Sequence, residues 1–196
     1  MFGRARFSES KRHLCEAGGH PDGCAVCSAF GLLDETEVMT PTGWVSAGQV
    51  MPGEEVMTYS DGFLPVLRVT RRPSFSSRVT CPGHFWPLMV APGLLGNDRT
   101  FRLLPDDAVL FDTDDAEDVP VMIPARAMIG CAGVVPCDPA QRQPVTELWF
   151  ARPHLVAVAG GAYVLCSQGT GQTSAVVDVP TLGLAEARKR LHAARQ

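Results

Sequence analysis

Four side chains near the start of the chain, Cys15, His20, Cys24 and Cys27, are of the types that hold a metal or react as thiols. A Cys-x2-Cys pair with a Cys and a His upstream offers four soft or borderline ligands, enough to close a tetrahedral zinc site. One Cys-x2-Cys without a second pair does not follow finger spacing, so free thiols on an N-terminal arm come first, zinc second and a redox pair third. Two histidines further on could move a proton for a thiol: His84, in Thr80-Cys-Pro-Gly-His84, and His154. Each also reads as an ordinary surface or structural histidine. Asp106, Asp107, Asp112, Asp114, Asp115, Glu117 and Asp118 place seven acids within thirteen residues. Their spacing is not that of a calcium loop, so a solvated acidic loop is expected.

The chain that must position these groups has 196 residues, enough for one domain with a proper core, and 45% of them are apolar. Charged residues make up 19% and the net charge is -4, with no clustered Lys and Arg, so nucleic acid is not expected as a partner. No apolar run is long enough to span a bilayer, and the basic start lacks the apolar stretch of a signal peptide. A soluble, cytoplasmic protein is expected. Seven scattered cysteines fit reduced thiols or a metal better than a disulfide framework.

Sixteen prolines and nineteen glycines break the chain into short pieces, which argues for many short strands. Glu37-Val-Met-Thr40, Pro41-Thr-Gly43 and Trp44-Val45 read as strand, turn and return. Glu55–Tyr59 and Phe63–Thr70 form a second hairpin around Ser60-Asp61-Gly62, with Pro65 confined to an edge or bulge. Further strands are expected over 86–91, 101–104, 108–111, 119–123, 145–150, 155–159 and 162–166. A helix is expected only from Leu182 onward, with Leu182, Leu184, Ala185, Leu191 and Ala194 on one apolar face and a short turn at Pro124–Met128. Cys131, Cys137 and Cys166 read as small core residues, and Trp44, Trp86 and Trp149 as packing residues. The chain divides into an N-terminal Cys/His-containing arm (1–29), a β body (30–170) and a C-terminal amphipathic helix (178–196).

The stretch Gly31-Leu-Leu-Asp-Glu-Thr36-Glu-Val-Met-Thr-Pro-Thr-Gly43-Trp44, followed by Gly48-Gln-Val-Met-Pro-Gly53 and Asp61-Gly62-Phe63, resembles the opening of a bacterial Hint domain, the fold shared by Hedgehog autoprocessing modules and inteins. Pro87–Asn97, Val121–Met128 and Thr146–Arg152 resemble later segments of the family. The resemblance implies a mainly β, Hint-like body with a short C-terminal helix. In that family a Cys opens the first segment and attacks the carbonyl before it, with a Thr five residues later. Here the Thr is Thr36, and the opening position is Gly31.

The reaction needs a nucleophile, oxyanion donors and a Thr-x-x-His pair that protonates the departing amide nitrogen. Gly31 has no reactive atom. The segment matching the pair reads Leu104-Pro105-Asp106-Asp107, so Asp107 holds the histidine position, and an Asp of ordinary pKa has no proton to give at neutral pH. Ala151 and Pro153 stand where relatives tend to carry Asp and His. His154 lies one place beyond Pro153, a shift that turns a strand side chain to the other face. Asn97, the only asparagine, sits mid-chain and so cannot be the terminal Asn whose cyclisation inteins use.

The expected function is therefore a degenerate Hint-fold protein, without self-splicing or autoproteolysis, that binds or supports a protein partner. The alternatives are an autoprocessing domain using Cys27 with His84 or His154, and a zinc-stabilised interaction module built on Cys15, His20, Cys24 and Cys27.

Overall fold

The computed structural model describes residues 31–72, 86–112, 119–137, 144–166 and 179–193. Short strands dominate them: β1 (Leu32–Leu33), β2 (Glu37–Thr40), β3 (Gly43–Ser46), β4 (Glu55–Thr58), β5 (Gly62–Pro65), β6 (Arg68–Arg72) and β7 (Leu88–Val90). Then come β8 (Phe101–Leu103), β9 (Ala108–Phe111), β10 (Val121–Pro124), β11 (Val134–Pro136), β12 (Val145–Trp149), β13 (His154–Val158) and β14 (Ala162–Cys166), and one helix, α1 (Leu184–Ala193). The strands pair antiparallel in three sheets. The largest runs β10-β9-β14-β13-β2-β3, with β4 joining β13 and carrying β5 on its far side. Two three-stranded sheets, β1-β12-β6 and β11-β7-β8, complete the body.

Composition explains these placements. Strand β13, His-Leu-Val-Ala-Val, is buried at every position, as a central strand covered on both faces must be, whereas β14 alternates buried and half-buried residues. The β2–β3 hairpin turns where Pro41-Thr-Gly43 predicts it. Gly43 takes φ +116, and the Thr40 hydroxyl donates to the Gly43 carbonyl at 2.8 Å. In the second hairpin the expected long return strand is broken in two. Pro65 has no N–H to extend a ladder, so β5 stops there on an edge paired only to β4. Val66, fully buried, and Leu67 carry the chain across, and Leu67 donates its N–H to the Trp149 carbonyl at 2.8 Å, which starts β6 against β12.

Strand β1 is only two residues long and pairs with β12 alone. Side-chain bonds hold its surroundings. The Thr146 hydroxyl donates to Asp34 at 2.6 Å, and the Arg71 guanidinium bonds the carbonyls of Gly48 at 2.8 Å and Val50 at 2.9 Å. Neither β1 nor β11 was expected from the sequence.

Helix α1 packs on the body through Ala187 and Leu191, four residues apart, which join the main core beside the 3-10 turn Ala125–Met128 and β10. Leu184 and Ala185, which the sequence sets on the same apolar face as Leu191, are exposed. Of the cysteines, Cys166 is buried as expected, while Cys131 and Cys137 are half-buried, and the three tryptophans are half-buried rather than central. The Arg68 guanidinium covers the Trp149 ring at 3.6 Å. No helix among the described residues is long and apolar enough to cross a membrane.

Candidate functional site

Gly31 opens β1 in a closed space. It is buried, with φ +131, a conformation L side chains rarely adopt. A Cβ built on it would meet Val145 Cγ1 at 3.0 Å, the Thr146 carbonyl oxygen at 3.1 Å and Glu147 Cγ at 3.2 Å. Those three residues form the start of β12, so the strand that pairs with β1 also fills the room a nucleophile's side chain would need.

The backbone nitrogen of Gly31 is bound from the other side. It donates to Asp107 Oδ1 at 3.0 Å, and the N–H of Leu104 donates to Asp107 Oδ2 at 2.9 Å. The turn that places Asp107 follows β8 directly: Leu104 is fully buried, and its carbonyl accepts the N–H of Asp107 at 3.1 Å. Asp107 thus faces Gly31, a placement the sequence had left open. It is also the departure from the solvated acidic loop expected here. Asp107 is 2% exposed because β8 and β9 fold the turn inward, Asp106 pairs with Arg126, and of the remaining acids only Asp112, exposed, lies within the described residues.

Burial sets the electrostatics. It pushes the pKa of Asp107 up to about 7, against the two N–H donors, which act in the opposite direction. The carboxyl is therefore not the fully ionised group that an ordinary aspartate would be at neutral pH. Cys166 ends β14, where burial first, then the charges of Asp107 and Glu147, push its thiol up; it is no nucleophile at neutral pH. Glu147 is 4% exposed on β12. Glu147 and Cys166 were missed as members of this cluster. A Glu inside the apolar strand Val-Thr-Glu-Leu-Trp is the signal that could have found the first, since acids are rarely buried without a reason. Nothing in the neighbours of Cys166 marks it out from a core thiol.

The other sequence candidates lie elsewhere. Thr36 is buried but lines a cleft of about 230 Å³ with Glu35, Glu37, Arg99 and Phe101, a cleft that none of Gly31, Asp107, Glu147 and Cys166 borders. Ala151 and Pro153 lie in the β12–β13 connection, while the contacts of Gly31 come from Val145, Thr146, Glu147 and Asp107. His154 begins β13 opposite Cys166, but its Nδ1 is 3.3 Å from Asp61 Oδ2 and its ring packs edge-on to Phe150. Burial pushes its pKa down, Asp61 opposes that shift, and Arg152 adds to it. Asn97 is buried in the turn before β8, donating to the carbonyls of Ala91 at 2.9 Å and Arg99 at 2.8 Å. Cys15, His20, Cys24, Cys27 and His84 lie outside the described residues. Among the described residues no three His, Cys, Asp or Glu side chains are grouped to hold a metal.

Comparison with known proteins agrees with this architecture. The family model described as Hint domain matches residues 30–164. Similar solved structures include a bacterial intein-like domain from Clostridium thermocellum, at 15% identity and TM-score 0.44, covering 72% of this chain and 100% of that one. The gp41-1 intein is similar at 13% identity and TM-score 0.41, covering 72% and 100%. The MchDnaB-1 intein in its N145AA form is similar at 15% identity and TM-score 0.41, covering 70% and 99%. No curated protein matches. A family match over more than half of the chain, on a body of short antiparallel strands with one C-terminal helix, establishes that the chain belongs to the Hint domain family.

Proposed function

We propose that this Hint-domain protein neither splices nor cleaves itself and works as a binding or structural module. The observation that carries the reading is the closure around Gly31. The position at which a thiol would attack has no side chain, is hemmed so that an added Cβ would press on three atoms of β12, and has its amide nitrogen held by Asp107. A nucleophile displaced by even an ångström loses most of its advantage, so groups outside this space are poor substitutes.

The binding half of the reading is supported by the β4–β5 hairpin. Phe63 and Pro65 alternate along the β5 edge and are exposed, as are Tyr59 in its hairpin turn and Leu67 just beyond the strand. A protein partner and a cytoplasmic setting are parts of the same proposal; the reduced thiols of Cys131 and Cys166 suit a reducing compartment.

The test is incubation of the purified protein with dithiothreitol or hydroxylamine, both of which split thioester intermediates. A single band at 21.0 kDa is expected. Two fragments divided near residue 30 would overturn the reading, and loss of that cleavage in Cys27→Ala would assign the attack to that thiol.

A further inference from the structure

The cleft that Thr36 lines is walled by residues 35–37, at the entry to β2, and 99–102, at the entry to β8. Its volume of about 230 Å³ is below the roughly 300–1,000 Å³ of sites for drug-sized ligands. Two ion pairs join one segment to the other. Arg99 Nη1 meets Glu37 Oε2 at 2.5 Å, Arg102 Nη2 meets Glu35 Oε1 at 2.5 Å, and all four side chains line the cleft. Met89 of β7, Phe101 and Ala159 add an apolar lining.

The polar groups here are only partly engaged. Arg99 also donates from Nε and Nη2 to Asp98, at 2.6 and 3.1 Å. Arg102 has one N–H, on Nη2, with a partner among the described residues, and its side chain is 27% exposed. Glu35 Oε2 and Glu37 Oε1 accept no hydrogen bond among the described residues. The Thr36 hydroxyl is buried and has no hydrogen-bond partner among them either. An unpaired buried hydroxyl costs stability rather than adding to it, so folding does not explain it. One wall is fixed in place. Ala159 is the only non-glycine among the described residues with positive φ, at +50, and it is held from both sides. Its N–H donates to the Glu37 carbonyl at 3.0 Å, and its carbonyl accepts the Asp98 N–H at 3.2 Å.

We propose that this cleft is a binding site for a small zwitterion, a free α-amino acid with an apolar side chain. The ligand carboxylate takes the open N–H groups of Arg102 as charge-assisted hydrogen bonds, its ammonium takes the open oxygens of Glu35 and Glu37, and its side chain lies on Met89, Phe101 and Ala159. The balance of charge selects this class. Two guanidiniums and two carboxylates line the cleft, so a phosphate meets two like charges and a metal ion meets two others, whereas a molecule of both signs meets complements to each. Arg102 and Glu35 touch each other, so the ligand's two charges must be as close as those on a single α-carbon. Neither the space around Gly31 nor the β4–β5 hairpin contributes a lining residue, and occupancy of the cleft is independent of cleavage and of a protein partner.

Titration of the 15N-labelled full-length protein with L-leucine, L-methionine and L-phenylalanine tests this assignment. At least one should give saturable shifts at the amides of Thr36, Phe101 and Ala159 with a Kd of about 1 mM or tighter. Weaker binding by all three overturns it. The two analogues of the amino acid that binds, the acid lacking its ammonium and the amide lacking its carboxylate charge, should each bind at least about fivefold more weakly. An analogue closer than that in affinity overturns the zwitterion. Arg102→Gln and Glu35→Gln should each weaken binding about tenfold with the urea midpoint nearly unchanged, because both side chains are partly exposed and their pair adds little to folding. Unchanged affinity in either variant also overturns the site. If a variant does not fold, the analogue comparison in the parent protein decides alone.

Discussion

Asp107 and Asp61 each sit in a turn between strands, and each lies near a residue the family resemblance singled out, yet their surroundings are opposite. Asp107 is sealed, meets two backbone N–H groups, and touches no cation among the described residues. Asp61 lies at the exposed tip of the β4–β5 hairpin, where the Arg152 guanidinium reaches both its oxygens, at 3.2 and 3.1 Å, and His154 approaches at 3.3 Å. In the first region a polar side chain is held by geometry that leaves no alternative, so removing it leaves donors stranded. In the second, Asp61 and Arg152 face water, which competes for their pairing, and only His154 is buried. The comparison teaches how differently the two regions are built: the space around Gly31 is closed by β12 on one side and the Asp107 carboxyl on the other, not an open pocket.

The largest expected effect tests that statement directly. Gly31→Cys restores the thiol that the family resemblance assigns to this position, but its Cβ must enter a space bounded by three atoms at 3.0 to 3.2 Å with φ at +131. Overpacking and backbone strain together should cost about 3 kcal/mol, read as a lowered urea midpoint at unchanged slope. No cleavage should follow on adding dithiothreitol. A variant as stable as the parent, or one that cuts before residue 31, would mean that the site opens readily and that the contrast with the hairpin tip is false.

A second buried polar group sharpens the contrast without touching the site. Asn97 satisfies the carbonyls of Ala91 and Arg99 and accepts the N–H of Leu95 at 3.1 Å. Asn97→Ala should cost about 2 kcal/mol in the same urea measurement, because three backbone groups lose their partner. A cost under about 0.5 kcal/mol would show that burial of this kind is not decisive here.

Much of this architecture was legible in the residues, for reasons that also mark where it stopped. Pro41-Thr-Gly43 and Asp61-Gly62 announce turns through backbone preferences that act locally, and both hairpins formed there. Val-rich runs over 155–159 and 162–166 announce central strands. Strand β1 was not legible because two residues carry no period, and its partner, Thr146, lies more than a hundred positions away. The resemblance set Asp107 at the position family members give to a histidine, but whether it would face Gly31 was not legible in the sequence. Its burial was not legible either, since Asp106-Asp107 before further acids has the composition of a solvated loop and only the inward fold of β8 and β9 removes the water.

The smallest expected effect lies at the hairpin tip and has the opposite sign in pH. His154 has its pKa pushed below the ordinary 6.5 by burial, so the unfolded chain takes up its proton first as pH falls. Between the two values the unfolded state binds more protons, and stability rises with pH, fully present above about 6.5 and lost below it. Asp107 acts the other way, losing stability as pH rises toward about 7. Where the two ranges overlap, below the ordinary 6.5 of a histidine, the slopes oppose each other in the parent protein. His154→Gln should remove the rising component and leave the falling one plain, whereas Asp61→Asn, which discards the exposed Arg152 pair and the opposing charge beside buried His154, should shift stability by about 0.5 kcal/mol at neutral pH. Urea unfolding of the three proteins at several pH values separates these contributions. If Asp61→Asn costs more than Asn97→Ala, the hairpin tip and not the sealed turn is the region whose polar contacts hold the fold.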